Sequence, residues 1–351
     1  MKTKLFCLAA ALLFSFFVLP LAFGQGALAP PGSPAPTMKT LDQIEARTLV
    51  NAANTPGSST NAFIIAQPGS YYLGGNITVT NGNAITIVTN GVTLDLNGFT
   101  ISSTAPSAAG NGILLNSGLK NITIANGFIQ GGVTNDGSGT YSGSGFSYGL
   151  YCVSALANAW VSRISVSGCR LSGIYLNIGN STVVESCTVR TVGGIGISAS
   201  TIKSSVAVDC GSIAIYGDQV SDSRGESSFG YGVDATATAQ NCYGSSDGNY
   251  GLYSVSAQNC YGSSDSGTGL YAATTAQNCY GHSYSGSGLY AVGTAIGCNG
   301  YSASGARGLY AQNASFCSGY RVGGRAIEAT VANGCYAVSG TNLITYKYNM
   351  P

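Results

Sequence analysis

Seven charged residues gather in a stretch of sequence that is otherwise almost uncharged: Arg170, Glu185, Arg190, Asp209, Asp222, Arg224 and Glu226. Carboxylates beside arginines are the ingredients of two reactions on sugar polymers. Two carboxylates about 5–10 Å apart can hydrolyse a glycosidic bond. A base beside a uronate, with a cation or Ca²⁺ holding the uronate carboxylate, can eliminate across it. A catalytic site in this chain would draw on Glu185, Asp209, Asp222, Arg224 and Glu226, and Ca²⁺ would matter only for the elimination. The competing reading is that these are turn residues and solvated ion pairs, because Asp is favoured in tight turns for backbone reasons alone. His282, the single histidine, lies in YGHSYSG and reads as a solvated loop residue. The 11 cysteines show no CxxC spacing, so zinc is not expected, and no other metal or cofactor is implied.

The elements that must position these residues come from an internal repeat. AQNCYGSSDGNYGLYSVSAQNCYGSSDSGTGLYAATTAQNCYG, residues 239–281, gives one message three times. Cysteines at 242, 260, 279, 298, 317 and 335 are separated by 18 or 19 residues. Cys169, Cys187 and Cys210 extend the series backwards, with Ser223 in the gap and Phe128 and Phe99 further up. An apolar residue stands three positions before this slot, as in Val184, Val220, Ala239 and Ala257. The residue one position before it is usually Gly, Asn or Asp, types that tolerate a left-handed backbone; Ser186 and Phe316 depart from that rule. On this alignment Asp209 and Asp222 share one corner, which predicts a separation of about 4.8 Å on neighbouring coils and either a raised pKa or a bound cation. The coil between them is short, 223 − 210 = 13 residues, and irregularity in a regular repeat can mark a site.

A second apolar slot runs through Ile113, Leu150, Ile174, Ile197, Ile215, Val233, Leu252, Leu270, Leu289, Leu309 and Ile327. A small residue often follows two positions later, the period of a strand. Three short strands and tight corners per repeat make one coil of a solenoid, and about twelve coils over residues 63–340 give a rod of roughly 60 Å. The calcium-binding β-roll motif is absent, and the phase does not suit a hexapeptide helix. GVTLDLNGFTI (91–101), NITIANGFIQGG (121–132) and the GLY…AQNC coils resemble the right-handed parallel β-helix repeat proteins of the pectin-lyase-like superfamily. The resemblance spans most of the chain and implies an all-β, right-handed parallel β-helix. It says little about activity, since this fold hosts lyases, hydrolases, adhesins and tailspikes. The hydrolase signature of that superfamily, an Asp trio with Gly-His-Gly, is missing here.

Side chains on successive coils form columns. Stacked cysteines of parallel rungs place their Cβ atoms about 4.8 Å apart, beyond the usual disulfide range of about 3.5–4.5 Å. Reduced thiols packed as small hydrophobes are therefore expected, with a few strained bridges as the alternative. Tyr253, Tyr271, Tyr290 and Tyr310 form an outward column beside the leucines, joined by Tyr151, Tyr175 and Tyr216; Tyr243, Tyr261, Tyr280 and Tyr336 form a second. Such columns stabilise a sheet, and they also offer a neutral face of apolar rings with polar tips to a polysaccharide or cell-surface glycan. In the resembled families that outer face is often where polysaccharide lies. Self-association is a third use. Ice binding would call for outward Thr-x-Thr ranks instead.

The termini set the context. Lys2 and Lys4, the apolar run 5–23 and the small residues Gly24 and Ala27 read as a secretory signal, residues 1–24, although the run also nears the length of a membrane anchor. A Pro-rich linker follows over 25–38. An N-terminal cap over 39–62 contains a short helix at Thr40–Val50, from the spacing of Leu41, Ile44 and Leu49. Residues 341–351 cap the far end. Charged residues are only 8% and the net charge is +1, so there is no basic stripe for nucleic acid. The expected protein is secreted or displayed on a cell surface, with no membrane contact after signal removal. It is structural or glycan-binding along the Tyr253–Tyr310 column; the alternative is a polysaccharide lyase or glycoside hydrolase using the 185–226 charges.

Overall fold

The computed structural model describes residues 45–350 apart from 153, 155, 179 and 180. The expected signal, the linker and residues 40–44 of the expected capping helix lie outside the described residues. Of two compact units, the second, Arg47–Pro351, is the solenoid. It contains a 29-stranded sheet, in which the pairings are parallel, and one two-stranded antiparallel hairpin. One column of paired residues runs without a break from Thr48 through Tyr71, Leu94 and Ile124 to Ala314, Ala332 and Lys347, fifteen rungs in all. At about 4.8 Å per rung the rod is about 65 Å long. This is a right-handed parallel β-helix, the hand that crossovers between parallel strands take.

The coil shortens along the rod. Steps between rungs from Phe63 to Ile197 are 22, 28, 37, 24 and 23 residues, and from there to Ile327 they are 18 to 20. Long coils have three separate strands, such as Asn83–Ile87, Val92–Asp95 and Thr100–Ser103. In short coils the first two fuse into one strand with a register irregularity, as in Leu252–Gln258, leaving only Tyr261–Ser264 as a second strand. The filling follows the perimeter. The coil of Ile85 encloses Ile85, Leu94 and Ile101, whereas that of Leu270 encloses Leu270, Ala276 and Cys279, all buried. A smaller cross-section at interior packing density admits only smaller side chains.

The corners explain the Asn, Asp and Ser positions. Asn97, Asn126, Arg163, Ser186, Ser204, Asp222, Asn241, Asn259, Asn278, Gly297, Phe316 and Gly334 all have φ between 47 and 64°. Ser186 and Phe316 thus take the left-handed conformation of their column despite their side chains. At the other end of the short strand, buried serines close the loop. Ser283 Oγ donates to the carbonyl of Gly267 at 2.6 Å and accepts the amide of Gly286 at 2.8 Å. Ser246 and Ser302 repeat the arrangement.

The structure revises two expectations. Cys169 and Cys210 do not belong to the main cysteine column: they pair through Val192 and continue into Ser227 at the serine corner. Cys187 is followed instead by Ser205 and Ser223, whose hydroxyls accept the amides of Cys187 and Ser205. Residues 45–50 of the expected helix are not helical, for Thr48–Leu49 adds a parallel strand to Tyr71–Tyr72. Pairing with an open sheet edge satisfies backbone groups that a local helix would leave exposed on that edge. The segment 131–148 forms a hairpin, Gly132–Asn135 with Tyr141–Ser144.

Candidate functional site

The charged candidates do not converge. Asp209 sits at the corner of Gly168 and Thr191, all three left-handed, while Asp222 sits at the corner of Ser204 and Asn241. Ser204 and Asp209 lie on one coil, 209 − 204 = 5 residues apart, so the expected close pair of Asp209 and Asp222 does not form. Cys210 belongs to the Val192–Ser227 column rather than that of Cys187, which moves Asp209 away from the Asp222 corner. Asp209 is fully occupied: it accepts Asn135 Nδ2 at 2.7 Å, Tyr141 Oη at 2.9 Å and Thr191 Oγ1 at 2.7 Å. Partial burial opposes its ionisation, but these hydrogen bonds outweigh that and hold its carboxyl below the ordinary range. Its role is to dock the 132–144 hairpin onto the coil.

Asp222 and Arg224 do share a shallow depression of about 720 Å³ with the Asn241–Asn259–Asn278 corner and the rings of Tyr243, Tyr261 and Tyr280. Asp222 accepts the amide of Asn241 at 2.9 Å. Arg224 is bound by Glu226 at 2.9 Å and lies 5.3 Å from the centre of the Tyr243 ring. Glu185 stands on another strand, in register with Ser162 and Lys203. The five residues are thus divided among three places on the rod.

The tyrosines form ladders. Ring centres of Tyr253, Tyr271, Tyr290 and Tyr310 are 5.3, 5.2 and 4.4 Å apart, with planes within 17° of parallel. Tyr231 and Tyr250 stack beside them. Each ring covers the face of the next, so the ladder shows solvent its edges and hydroxyls rather than open ring faces. Arg307 covers its Tyr310 end at 5.0 Å and is itself paired with Glu328. Tyr243, Tyr261 and Tyr280 stack likewise at 5.1 Å. A third ladder was not expected: His282 lies in the strand Tyr280–Ser283 and stacks on Tyr301 at 4.8 Å, which stacks on Tyr320. His282 is therefore a ladder rung, not a loop residue.

Two unusual positions escaped the sequence reading. Asp234 replaces tyrosine between Tyr216 and Tyr253. It is only 8% exposed, and burial pushes its carboxyl up to about 6. The signal was GVD where the neighbouring coils have AIY and GLY. Trp160, the only tryptophan, points outward between buried Ala159 and Val161 and is 49% exposed. It lies in a cavity of about 760 Å³ with Thr93, Thr123, Val183 and Thr201, and among the described residues no charged side chain lines it. Its outward position was readable from the alternation Ala-Trp-Val.

The ten described cysteines are free and buried. Apart from Cys152, which donates to the Ser154 carbonyl, their thiols donate to the carbonyl two residues earlier, as Cys260 does to Gln258 at 3.1 Å. Burial pushes the Cys187 thiol up to about 11, unlike a nucleophile. Among the described residues no group of three or more His, Cys, Asp or Glu could hold a metal ion.

Comparison with known proteins adds little beyond this geometry. No protein family and no curated protein matches the chain. Among solved structures it is similar to the enzymatically active domain of tailspike protein 2 of bacteriophage CBA120, at 15% identity and a TM-score of 0.31. That alignment covers 87% of this chain and 46% of the tailspike chain, so this chain spans less than half of its length.

Proposed function

We propose that this chain is an exported, non-catalytic solenoid that binds glycan along its outer face. The observation that carries the reading is the dispersal of Glu185, Asp209, Asp222, Arg224 and Glu226 over three places, with Asp209, Arg224 and Asp222 held by neighbours. Catalysis on a sugar polymer needs charges that converge on one bond. Binding needs hydroxyls, amides and aromatic edges in a row, which the Tyr253–Tyr310 ladder and the Asn241–Asn278 corner supply. Export rests on residues 1–24 alone. A polysaccharide lyase, with Ca²⁺ as its cation, is the second reading, since Asp222 and Arg224 line one depression. The test is turnover: acidic polysaccharides with and without Ca²⁺, read for new double bonds. Absence of product supports binding without catalysis. Product that vanishes in Asp222→Asn or Arg224→Ala establishes the lyase.

A further inference from the structure

The strongest unassigned feature of the rod is the cavity beneath Trp160. Its floor is an outward column, Thr93, Thr123, Trp160, Val183 and Thr201, linked rung to rung. At about 4.8 Å per rung this floor is about 19 Å long. One wall is a second left-handed corner, Asn121 and Asn158, where Asn158 donates its amide to Asn121 at 3.2 Å. The cavity volume, about 760 Å³, falls within the range of small-molecule sites.

Trp160 differs from every tyrosine ladder. Among the described residues no other ring stacks on it, and it is half exposed, with Thr123 and Val183 on the rungs either side. An indole face is a large, rigid apolar platform with little rotamer entropy to lose. The flat C–H face of a pyranose fits such a platform, and the threonine hydroxyls and asparagine amides match its hydroxyl groups. Among the described residues no lysine, arginine or carboxylate lines the cavity. A uronate, sulfate or phosphate would therefore lose its hydration without gaining a charged partner.

We infer that the Trp160 cavity is a binding site for a neutral hexose oligomer, seated on the indole face and running along the rod. The inference rests on the glycan-binding reading and moves its centre from the tyrosine ladder to this cavity. Thr93 and Thr123 supply hydroxyls on the two rungs before Trp160 and Thr201 on the second rung beyond it, and the asparagine corner fixes the edge of the chain. No bond is made or broken there.

The only tryptophan of the chain gives a site-specific readout. The experiment titrates intrinsic fluorescence with short oligomers of glucose, mannose and galactose, and with a uronate oligomer as control. Retention on the matching insoluble polymers is then measured for the unaltered protein, Trp160→Ala, Trp160→Phe, Thr123→Val and Tyr271→Ala, with thermal melts to confirm folding. The expected result is a saturable emission change with a neutral oligomer, and affinity at least about tenfold weaker in Trp160→Ala but partly kept in Trp160→Phe. Thr123→Val, which leaves the indole in place, weakens retention as well. Retention unchanged in Trp160→Ala but lost in Tyr271→Ala overturns the site and leaves the glycan reading standing on the ladder. Retention on uronate polymers alone overturns the neutral class. No retention on any polymer overturns both.

Discussion

Asn259 donates its side-chain amide to the side-chain oxygen of Asn241, one coil away, at 3.2 Å. Asn241 donates in turn to Asp222, and Asn278 to Asn259. The same residues hold left-handed φ angles of 51 to 54°. Backbone and side chain therefore make separable demands at this corner. Asn259→Gly keeps the backbone and removes the amide ladder, and should cost about 1 kcal/mol. Asn259→Val removes both and should cost at least about 1–2 kcal/mol more. Denaturant midpoints of the two variants check the order.

Ser283 closes its loop with two hydrogen bonds while fully buried. Ser283→Ala leaves the Gly286 amide and Gly267 carbonyl without their partner. The expected loss is about 1–3 kcal/mol, read from chemical denaturation, with faster hydrogen exchange at Gly286 than in the unaltered protein.

Asp234 gives a pH signature. Its carboxyl is raised by burial from an ordinary 3.8 to about 6, so the folded state holds the proton more tightly than the unfolded chain. Its contribution to stability is complete below about pH 4 and is lost as pH rises to about 6, by roughly 2–3 kcal/mol. Asp209 has the opposite sign, because its carboxyl is lowered: its contribution is present above about pH 4 and fades as pH falls below it. Asp234→Asn should remove the decline between pH 4 and 6 and leave the acid loss intact. Denaturation curves across this range test both halves.

The cysteine column should remain reduced. Under native conditions a maleimide should label few of the ten buried thiols at 152–335, and after denaturation all of them. Cys279→Ser should be mild, costing about 1 kcal/mol, because Ser223 already occupies this column and donates to Ser221 at 2.7 Å as the cysteines do. Mass spectrometry of the labelled chain counts the thiols.

The fold was legible where the period is constant. From Leu252 to Ile327 the Leu, Ala, Cys and Tyr slots all fall where the repeat puts them. It was less legible above Ile197, where coils of 22 to 37 residues place extra turns between columns. There a cysteine alone is no landmark, and Cys169 and Cys210 fall at a different corner from Cys187. The same slip placed Asp209 beside Asp222. The stacking of Tyr253 on Tyr271 followed from the repeat, but the consequence that stacked rings hide their faces needed geometry. Trp160 and Asp234 were hidden for the opposite reason: each occurs once, and repeats draw attention to what recurs.

The central claim is binding without cleavage, and one measurement addresses it most directly. Purified protein is incubated with matched neutral and acidic polysaccharides, and retention on each polymer and release of new reducing ends are read from the same samples. Retention on a neutral polymer with no new reducing ends is the predicted result. Release of reducing ends at a rate that depends on Asp222 or Glu185 would contradict it.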